Sequence, residues 1–419
     1  MLRTIQILTF LICLMTMQPA AAQTTQAADS TSASKQDGWQ ISLLTVGPGP
    51  VIYELEGHSG LRMKRGNVDE VANWGVFDFE SPGFIYRFVK GETDYMLGMS
   101  SFEHFVAPYA HQGREMTEQV LNLTPQQAER VVALVSENLK PENKVYRYNY
   151  IRDNCSTRPL AVIEEAIGDT IILGAPAQQL TKKATFRRNM RTYHKNYPWY
   201  QFGIDLALGS DLDQPIGRRE IAFAPVALEE MMAEAKFANG QPVVKETVEI
   251  LEPGKAQITE GPTPWYLTPM FWCWTLFVIT LVLSWFDIYR HQLSRIFDCI
   301  LYLVLGVAGC LITFLVFFSV HEPASPNWLL LWINPLCLLV PILIWTKQPN
   351  GLLYCYQIAN FAALLAMTCI WVAGIQQPNP AFIPLLAADA LRSATYLISS
   401  RCNPSYRKRS TYRVNYYAR

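Results

Sequence analysis

The sequence predicts an α+β domain followed by an all-α, membrane-spanning domain of five helices. Three observations predict it. From Trp39 onward, short aromatic and β-branched runs are bounded by Gly and Pro, which suits a mostly antiparallel sheet. Beyond Thr124, amphipathic stretches with helix-start signals take over. Residues 266–400 are dominated by Leu, Ile, Val, Phe and Trp, in five stretches near the ~20 residues that cross a bilayer. Strand runs with segregated helices are the α+β pattern.

The first segment is Met1-Leu2-Arg3, an apolar run from Ile5 to Met17, then Pro19-Ala20-Ala21-Ala22-Gln23. One positive charge, a short apolar core and a small-residue ending read as a secretory signal peptide cut after Ala22. Gln23 to Asp37 is rich in Thr, Ser, Ala and Gln and reads as a flexible linker. The expected layout is a signal peptide (1–22), a linker (23–38), an exported domain (39–265), a transmembrane domain (266–400) and a basic tail (401–419). The 35 basic and 35 acidic residues balance, so net charge says nothing about a nucleic-acid partner, and none is expected.

Ile41, Leu43 and Thr45 alternate with their neighbours as in a strand, and Gly47-Pro48-Gly49-Pro50 breaks the run. Val51 to Leu55 resumes it, leading into Gly57-His58-Ser59-Gly60-Leu61-Arg62-Met63. Asn73 to Phe79 and Phe84 to Phe88 read as further strands. Thr124-Pro125-Gln126-Gln127 is an N-cap, a first-turn proline and a capping-box Gln. That helix is expected to reach Leu139, with Val131, Leu134, Val135 and Leu139 on one face. A second runs from near Cys155 to near Gly168, with Pro159 in its first turn and Leu160, Ile163 and Ile167 as its stripe. Thr185–Lys195, Trp199–Leu206 and Val226–Phe237 are further helical candidates.

The apolar stretches run roughly over 268–289, 296–319, 328–345, 352–374 and 381–399. Lys and Arg follow the first, third and fifth; none follows the second or fourth. The positive-inside rule makes those basic segments cytoplasmic, and five spans then put the polar domain outside. Asp298, Asp389 and Arg392 fall within these stretches. Such charges are costly in hydrocarbon, so they are expected to face the bundle interior. Asp389 and Arg392 are spaced to pair along one helix face.

Cys155 is the only cysteine in the polar stretch between the leader and the first apolar span. An exported thiol with no partner there is either an inert buried residue or kept for reactivity. Its setting, Tyr150-Ile151-Arg152-Asp153-Asn154-Cys155-Ser156-Thr157, is polar and turn-like, unlike a core. A free thiol has a pKa near ~8.5, so a nucleophile needs a helix N-terminus or an imidazolium beside it. The expected helix start supplies the first, with Asn154 as a favoured N-cap. Backbone N–H groups there could also hold an oxyanion, with Asn154 as a further candidate.

The base must be a histidine, drawn from His58, His104, His111 and His194. His58, in Glu56-Gly57-His58-Ser59-Gly60, sits on an expected strand, a rigid place to hold a base. Asp78 is the candidate to orient the ring, because a carboxylate amid aromatics needs a partner. Asn73 is the alternative, and Asp78 could instead cap a turn or pair with Arg62 or Arg87.

The basic run Lys182, Lys183, Arg187, Arg188, Arg191, His194 and Lys195 reads as a solvated helix face, with anionic lipid as the rival partner. Asp205, Asp211 and Asp213 read as turn chemistry. No Cys/His spacing suggests zinc and no glycine loop suggests phosphate binding, so neither metal nor cofactor is expected.

Gly57-His58-Ser59-Gly60 followed far downstream by Asn154-Cys155 resembles the His-before-Cys order of circularly permuted NlpC/P60-like thiol enzymes. More closely, four segments resemble the Lnb family of bacterial lipoprotein N-acyltransferases: Asn73 to Phe79, Phe88 to Tyr95, Asn149 to Thr157, and Phe202 to Gly209. The resemblance implies a papain-like extracytoplasmic domain before the membrane helices, in a bacterial inner membrane. It implies Cys155 as nucleophile and His58 as base, with the third member left to Asp78 or Asn73. It implies a membrane phospholipid as acyl donor, a Cys155 thioester and a diacylated lipoprotein as acceptor, within the bilayer and without a cofactor. The rival readings are a membrane-bound cysteine hydrolase of lipid esters or peptidoglycan amides, and a non-enzymatic envelope assembly or sensor protein.

Overall fold

The computed structural model describes residues 38–77, 80, 82–176, 184–254, 261–346 and 350–402. The expected signal peptide, nearly all of the linker, Asp78, Lys182, Lys183 and almost all of the basic tail lie outside the described residues.

The strands are β1 (Gln40–Val46), β2 (His58–Arg65), β3 (Val68–Val76), β4 (Asp94–Ser101), β5 (Met116–Leu121), β6 (Val145–Arg147) and β7 (Val244–Leu251). They form one sheet in the order β6-β4-β3-β2-β1-β5-β7, with every neighbouring pair antiparallel. The helices of this half are α1 (Phe84–Lys90), α2 (Phe102–Gln112), α3 (Pro125–Asn138), α4 (Thr157–Ile167), α5 (Phe186–Tyr193), α6 (Pro198–Ala207) and α7 (Pro225–Ala233). The domain is α+β, as expected.

The period of two explains the layering. Ile41 and Leu43 of β1 join Leu61, Met63, Trp74 and Leu97 in a core covered by α3, α4, α5 and α7. Leu44 and Val46 point the other way, into a smaller core closed by Phe105 of α2. β1 is therefore buried on both faces, as an inner strand between β2 and β5. α3 opens with the expected capping box: Thr124 accepts from the Gln127 backbone and Gln127 accepts from the Thr124 backbone.

Two strand expectations are corrected. Val51–Leu55 is a pair of tight turns, closed by Glu54 N–H donating to Val51 O and Gly57 N–H donating to Glu54 O. Phe84–Phe88 is helical, bracketed by Gly83 and Gly91 at positive φ. Its aromatic residues favour strands, but it is too short for periodicity to choose a helix over a strand. β4, β5, β6 and β7 went unread. β5 is an inner strand that buries the polar Glu118 and Gln119, and β6 and β7 are edge strands with mostly exposed or half-buried residues, so none of these three shows a clean apolar alternation.

Beyond residue 261 the chain is helical: α8 (Pro269–Arg290), α9 (Arg295–Phe317), α10 (Gly351–Val372) and α11 (Phe382–Cys402). Among the described residues, α8, α9 and α10 are long and apolar enough to cross a membrane. The third expected span is not one helix. Trp328–Leu343 is broken into 3-10 turns at Trp328–Leu331 and Pro335–Leu338 and a short α-turn at Leu339–Leu343. Pro335 lacks the N–H that a continuous helix needs, and the Asn334 side chain caps Leu336 instead. Exposed Trp265, Tyr266 and Trp272 near one end of α8, and Trp285 and Tyr289 near the other, form the aromatic belts of a membrane-crossing helix.

The membrane charges do face the bundle interior, but Asp389 and Arg392 do not pair with each other. Arg392 reaches Asp298 at 2.8 Å, Asp287 at 2.7 Å and Ser284 at 3.0 Å. Asp389 instead accepts from Tyr302 at 2.6 Å and Asn360 at 2.9 Å.

The basic run is solvated only in part: Arg188 and Lys195 are exposed, while Arg187 and His194 are buried. Arg187 is buried, donating to Asp205 at 2.8 Å and Asp213 at 2.9 Å, so these aspartates are its counter-ions and not simple turn residues. Asp205 also accepts from Asn379, at 2.9 Å, in the connection between α10 and α11. Phe202 of α6 packs edge-on against Phe382 at 4.9 Å. The loop after α9 completes the junction, with Ser210 N–H donating to Pro326 O at 2.8 Å. The N-terminal domain is thus clamped to the helical region by a buried ion cluster and backbone hydrogen bonds.

Candidate active site

His58 is the first residue of β2, opposite Val46 of β1. Continuing the β2–β3 register beyond Leu61↔Ala72 sets His58 beside Gly75, with Asn73 on the same face. The His58 Nε2–H donates to Asn73 Oδ1 at 2.8 Å. This hydrogen bond sets the tautomer and leaves Nδ1 for the sulfur. Two glycines permit the arrangement. Gly57 has φ 83°, and a Cβ there would lie 2.5 Å from Val46 O. Gly75 has φ 115° at an irregularity in the β3–β4 pairing and lies against both His58 and Cys155.

Cys155 sits two residues before α4. Asn154 Oδ1 accepts the Ser156 and Thr157 backbone N–H at 2.8 and 3.0 Å, so it caps the helix from just outside. Its amide hydrogens go to Tyr150 O at 2.7 Å and Phe223 O at 2.9 Å. All of Asn154 is therefore spent on shaping the loop. Ser59 Oγ donates to Cys155 O at 2.5 Å and stitches that loop to β2, one residue from His58. The Tyr148 hydroxyl lies 3.9 Å from Cys155 Sγ.

Cys155 is 7% exposed and its sulfur interacts with the His58 ring. Burial pushes the thiol up, but the His58 imidazolium and the Tyr148 hydroxyl outweigh it, holding Cys155 below its ordinary range. Burial pulls His58 down, and the Cys155 thiolate with Asn73 pulls it further up, so the ring stays protonated above its ordinary range. The pair favours thiolate and imidazolium together. Tyr95, pushed up to about 12 by burial and by Cys155, stays a neutral hydroxyl.

The other histidines do not reach the sulfur. His104 hydrogen-bonds Ser101 and lies exposed on α2, as does His111 near its end. His194 is fully buried, 2.8 Å from both Glu56 and Gln201, with Tyr150 also donating to Glu56. This network braces the segment just before His58 against the one just before Cys155. Sequence reasoning missed it, although Glu56, two residues before His58, was a visible carboxylate. Asp78 lies outside the described residues; Asn73 is the group on His58.

The loop is also tied to the helical region. Asn149 Nδ2 donates to Glu322 Oε2 at 3.0 Å, and Arg152 lies 3.9 Å from the same oxygen. Behind the loop is a cleft of about 560 Å³, lined by Arg152, Arg158 and Arg219. All three are paired with carboxylates: Asp211, Asp153 and Glu164. Among the described residues, no group of His, Cys, Asp and Glu is arranged to hold a metal ion.

Residues 26–186 match the Lnb N-terminal periplasmic domain, and residues 262–402 match the Lnb transmembrane domain. No curated protein and no solved structure matches the chain.

Proposed function

The chain belongs to the Lnb family, with a periplasmic domain ahead of membrane-spanning helices, and from that premise we propose that it is a lipoprotein N-acyltransferase working through a Cys155 thioester. The observation that carries the reading is a buried cysteine beside an Asn-oriented histidine, in a loop hydrogen-bonded to the membrane region.

The Cys155 thiolate attacks an ester carbonyl of a membrane phospholipid. The carbonyl oxygen becomes an oxyanion, held by the Cys155 backbone N–H and the Tyr148 hydroxyl. The ester C–O bond breaks, His58 gives its proton to the departing glycerol oxygen, and a lysophospholipid leaves. The α-amine of a diacylglyceryl-cysteine then attacks the thioester. His58 takes the amine proton, the C–S bond breaks, and the thiolate returns as the amide forms. Asn73 holds the imidazole in the productive tautomer, the role a carboxylate or amide plays in related triads. Asn154 positions the nucleophile. We take α8, α9, the broken segment Trp328–Leu343, α10 and α11 as five crossings of a bacterial inner membrane.

The test uses the full-length protein in phospholipid liposomes with a diacylated lipopeptide. Intact-mass spectrometry is expected to find one acyl group on Cys155 and, with time, an N-acylated lipopeptide. Free fatty acid with no modified peptide would assign the site to a hydrolase. A Cys155 that is never acylated would remove the enzyme reading.

A further inference from the structure

α1 has no buried residues, and it exposes large apolar side chains: Ile85 and Tyr86 at 61% and Phe88 at 50%. A soluble surface has no reason to group these on seven residues. Their position supplies one. The C-terminal end of α1 is hydrogen-bonded to the chain leaving α9: Val320 N–H donates to Lys90 O at 2.8 Å, and His321 Nε2–H to Phe88 O at 2.9 Å. Phe317, Phe318 and Val320, where α9 ends, are exposed as well. The apolar patch of α1 thus continues the lipid-facing surface of a membrane-crossing helix.

From α1 a line of rings leads inward. Phe88 stacks on Phe84 at 5.9 Å, Phe84 on Phe77 at 5.9 Å, Phe77 meets Tyr95 at 4.8 Å, and Tyr95 stacks on Tyr148 at 4.3 Å. Tyr148 is the residue whose hydroxyl faces the Cys155 sulfur. The rings form one nearly continuous apolar wall between the bilayer-level patch and the nucleophile.

We propose that α1 is immersed in the leaflet facing the N-terminal domain, and that the Phe88–Phe84–Phe77–Tyr95–Tyr148 wall guides a phospholipid acyl chain from that leaflet to Cys155. The occupant is a membrane phospholipid, because the patch is continuous with the exposed apolar end of α9, a helix long and apolar enough to cross a membrane. This rests on the acyltransferase reading and adds the route by which the donor arrives. An acyl chain sliding along rings stays out of water while only its ester reaches polar groups, so no lipid has to be extracted into solution.

The first test is photo-crosslinking of full-length Cys155→Ala protein in phosphatidylethanolamine liposomes that carry a tracer of the same lipid with a diazirine in its acyl chain. Digestion and mass spectrometry are expected to find adducts on residues 84–90 and on Tyr95 or Tyr148, besides the membrane helices. Adducts confined to the membrane helices would overturn the proposal. The second test is acylation of Cys155 from bilayer phospholipid in the Ile85→Glu/Phe88→Glu chain. A fall of roughly tenfold or more is expected, since each change removes apolar burial in lipid; an unchanged rate would overturn it. The crosslinking arm does not depend on that variant folding. If the unsubstituted protein gives the α1 adducts but never an acylated Cys155, the chemistry fails and the lipid surface stands. Acylation without α1 adducts leaves the chemistry standing and removes the lipid surface.

Discussion

His58 and Asn73 meet across the β2–β3 ladder, Nε2 to Oδ1 at 2.8 Å. An amide in this place orients the ring without adding a negative charge. The charge that stabilises the imidazolium is then the Cys155 thiolate itself. Each member of the pair keeps the other ionised.

This coupling predicts a pH profile. Cys155 is held below its ordinary range by His58, so its alkylation by iodoacetamide should persist well below the ~8.5 of a free thiol. In His58→Ala only burial and weaker partners remain, and burial raises a thiol. The midpoint of the alkylation curve should then move up, to or beyond the free-thiol value. Equal midpoints in the two proteins would refute the pairing. Acyl transfer in His58→Ala should fall by ~10²–10⁴-fold, the usual worth of a general acid–base group.

Asn73→Asp places a negative charge against the imidazolium. An adjacent anion favours the charged ring, so the alkaline limb of the acylation profile should shift to higher pH. Acylation rates measured across the neutral and alkaline range read the shift. A limb that stays in place would mean that Asn73 does not govern His58.

Gly57 carries a backbone conformation that other residues reach only with strain, and a Cβ there would strike Val46 O at 2.5 Å. Gly57→Ala should cost ~1–3 kcal/mol and displace His58 at the start of β2. Thermal unfolding of the purified protein reads the first effect, and Cys155 alkylation at neutral pH reads the second. A variant matching the parent in both would show that the turn before His58 is not constrained.

Arg187 neutralises Asp205 and Asp213 inside the clamp between the two domains. Arg187→Ala takes the guanidinium from buried Asp213 and leaves Asp205 with Arg191 as its remaining guanidinium, at a cost of ~3–5 kcal/mol. Limited proteolysis should then release the N-terminal domain from the membrane helices under conditions that leave the parent chain intact. Parent-like resistance to protease would show that the other contacts of the junction hold it without Arg187.

Asn154→Ala removes the acceptor for Ser156 and Thr157 N–H and both stitches to Tyr150 and Phe223. A helix cap alone is worth ~0.5–2 kcal/mol. Acylation should fall by more than that loss of stability explains, because the loop sets where the sulfur points. Activity falling only in step with the folded fraction would reduce Asn154 to a cap.

Local patterns in the sequence were enough for several features. The apolar stretches, the capping box of Thr124 and Gln127, the β1 alternation and the single cysteine of the polar stretch could all be read directly, because each depends on neighbours a few residues away. Their reading needs only propensity, spacing and the length of a bilayer crossing. Phe84–Lys90 was too short for such a signal, and Pro335 broke a span whose composition alone looked continuous. The partners of buried charges were not legible at all. Arg187 with Asp205, Arg392 with Asp298, and His194 with Glu56 are joined across loops and helices, so only the folded chain chooses them. His58, Asn73 and Cys155 stood among the sequence's candidates, but only the fold set Asn73 on His58 and brought that ring to the sulfur. The sequence by itself determined which residues could do chemistry, while the tertiary structure decided which of them meet, because sheet register and helix docking bring together groups that the linear chain keeps far apart.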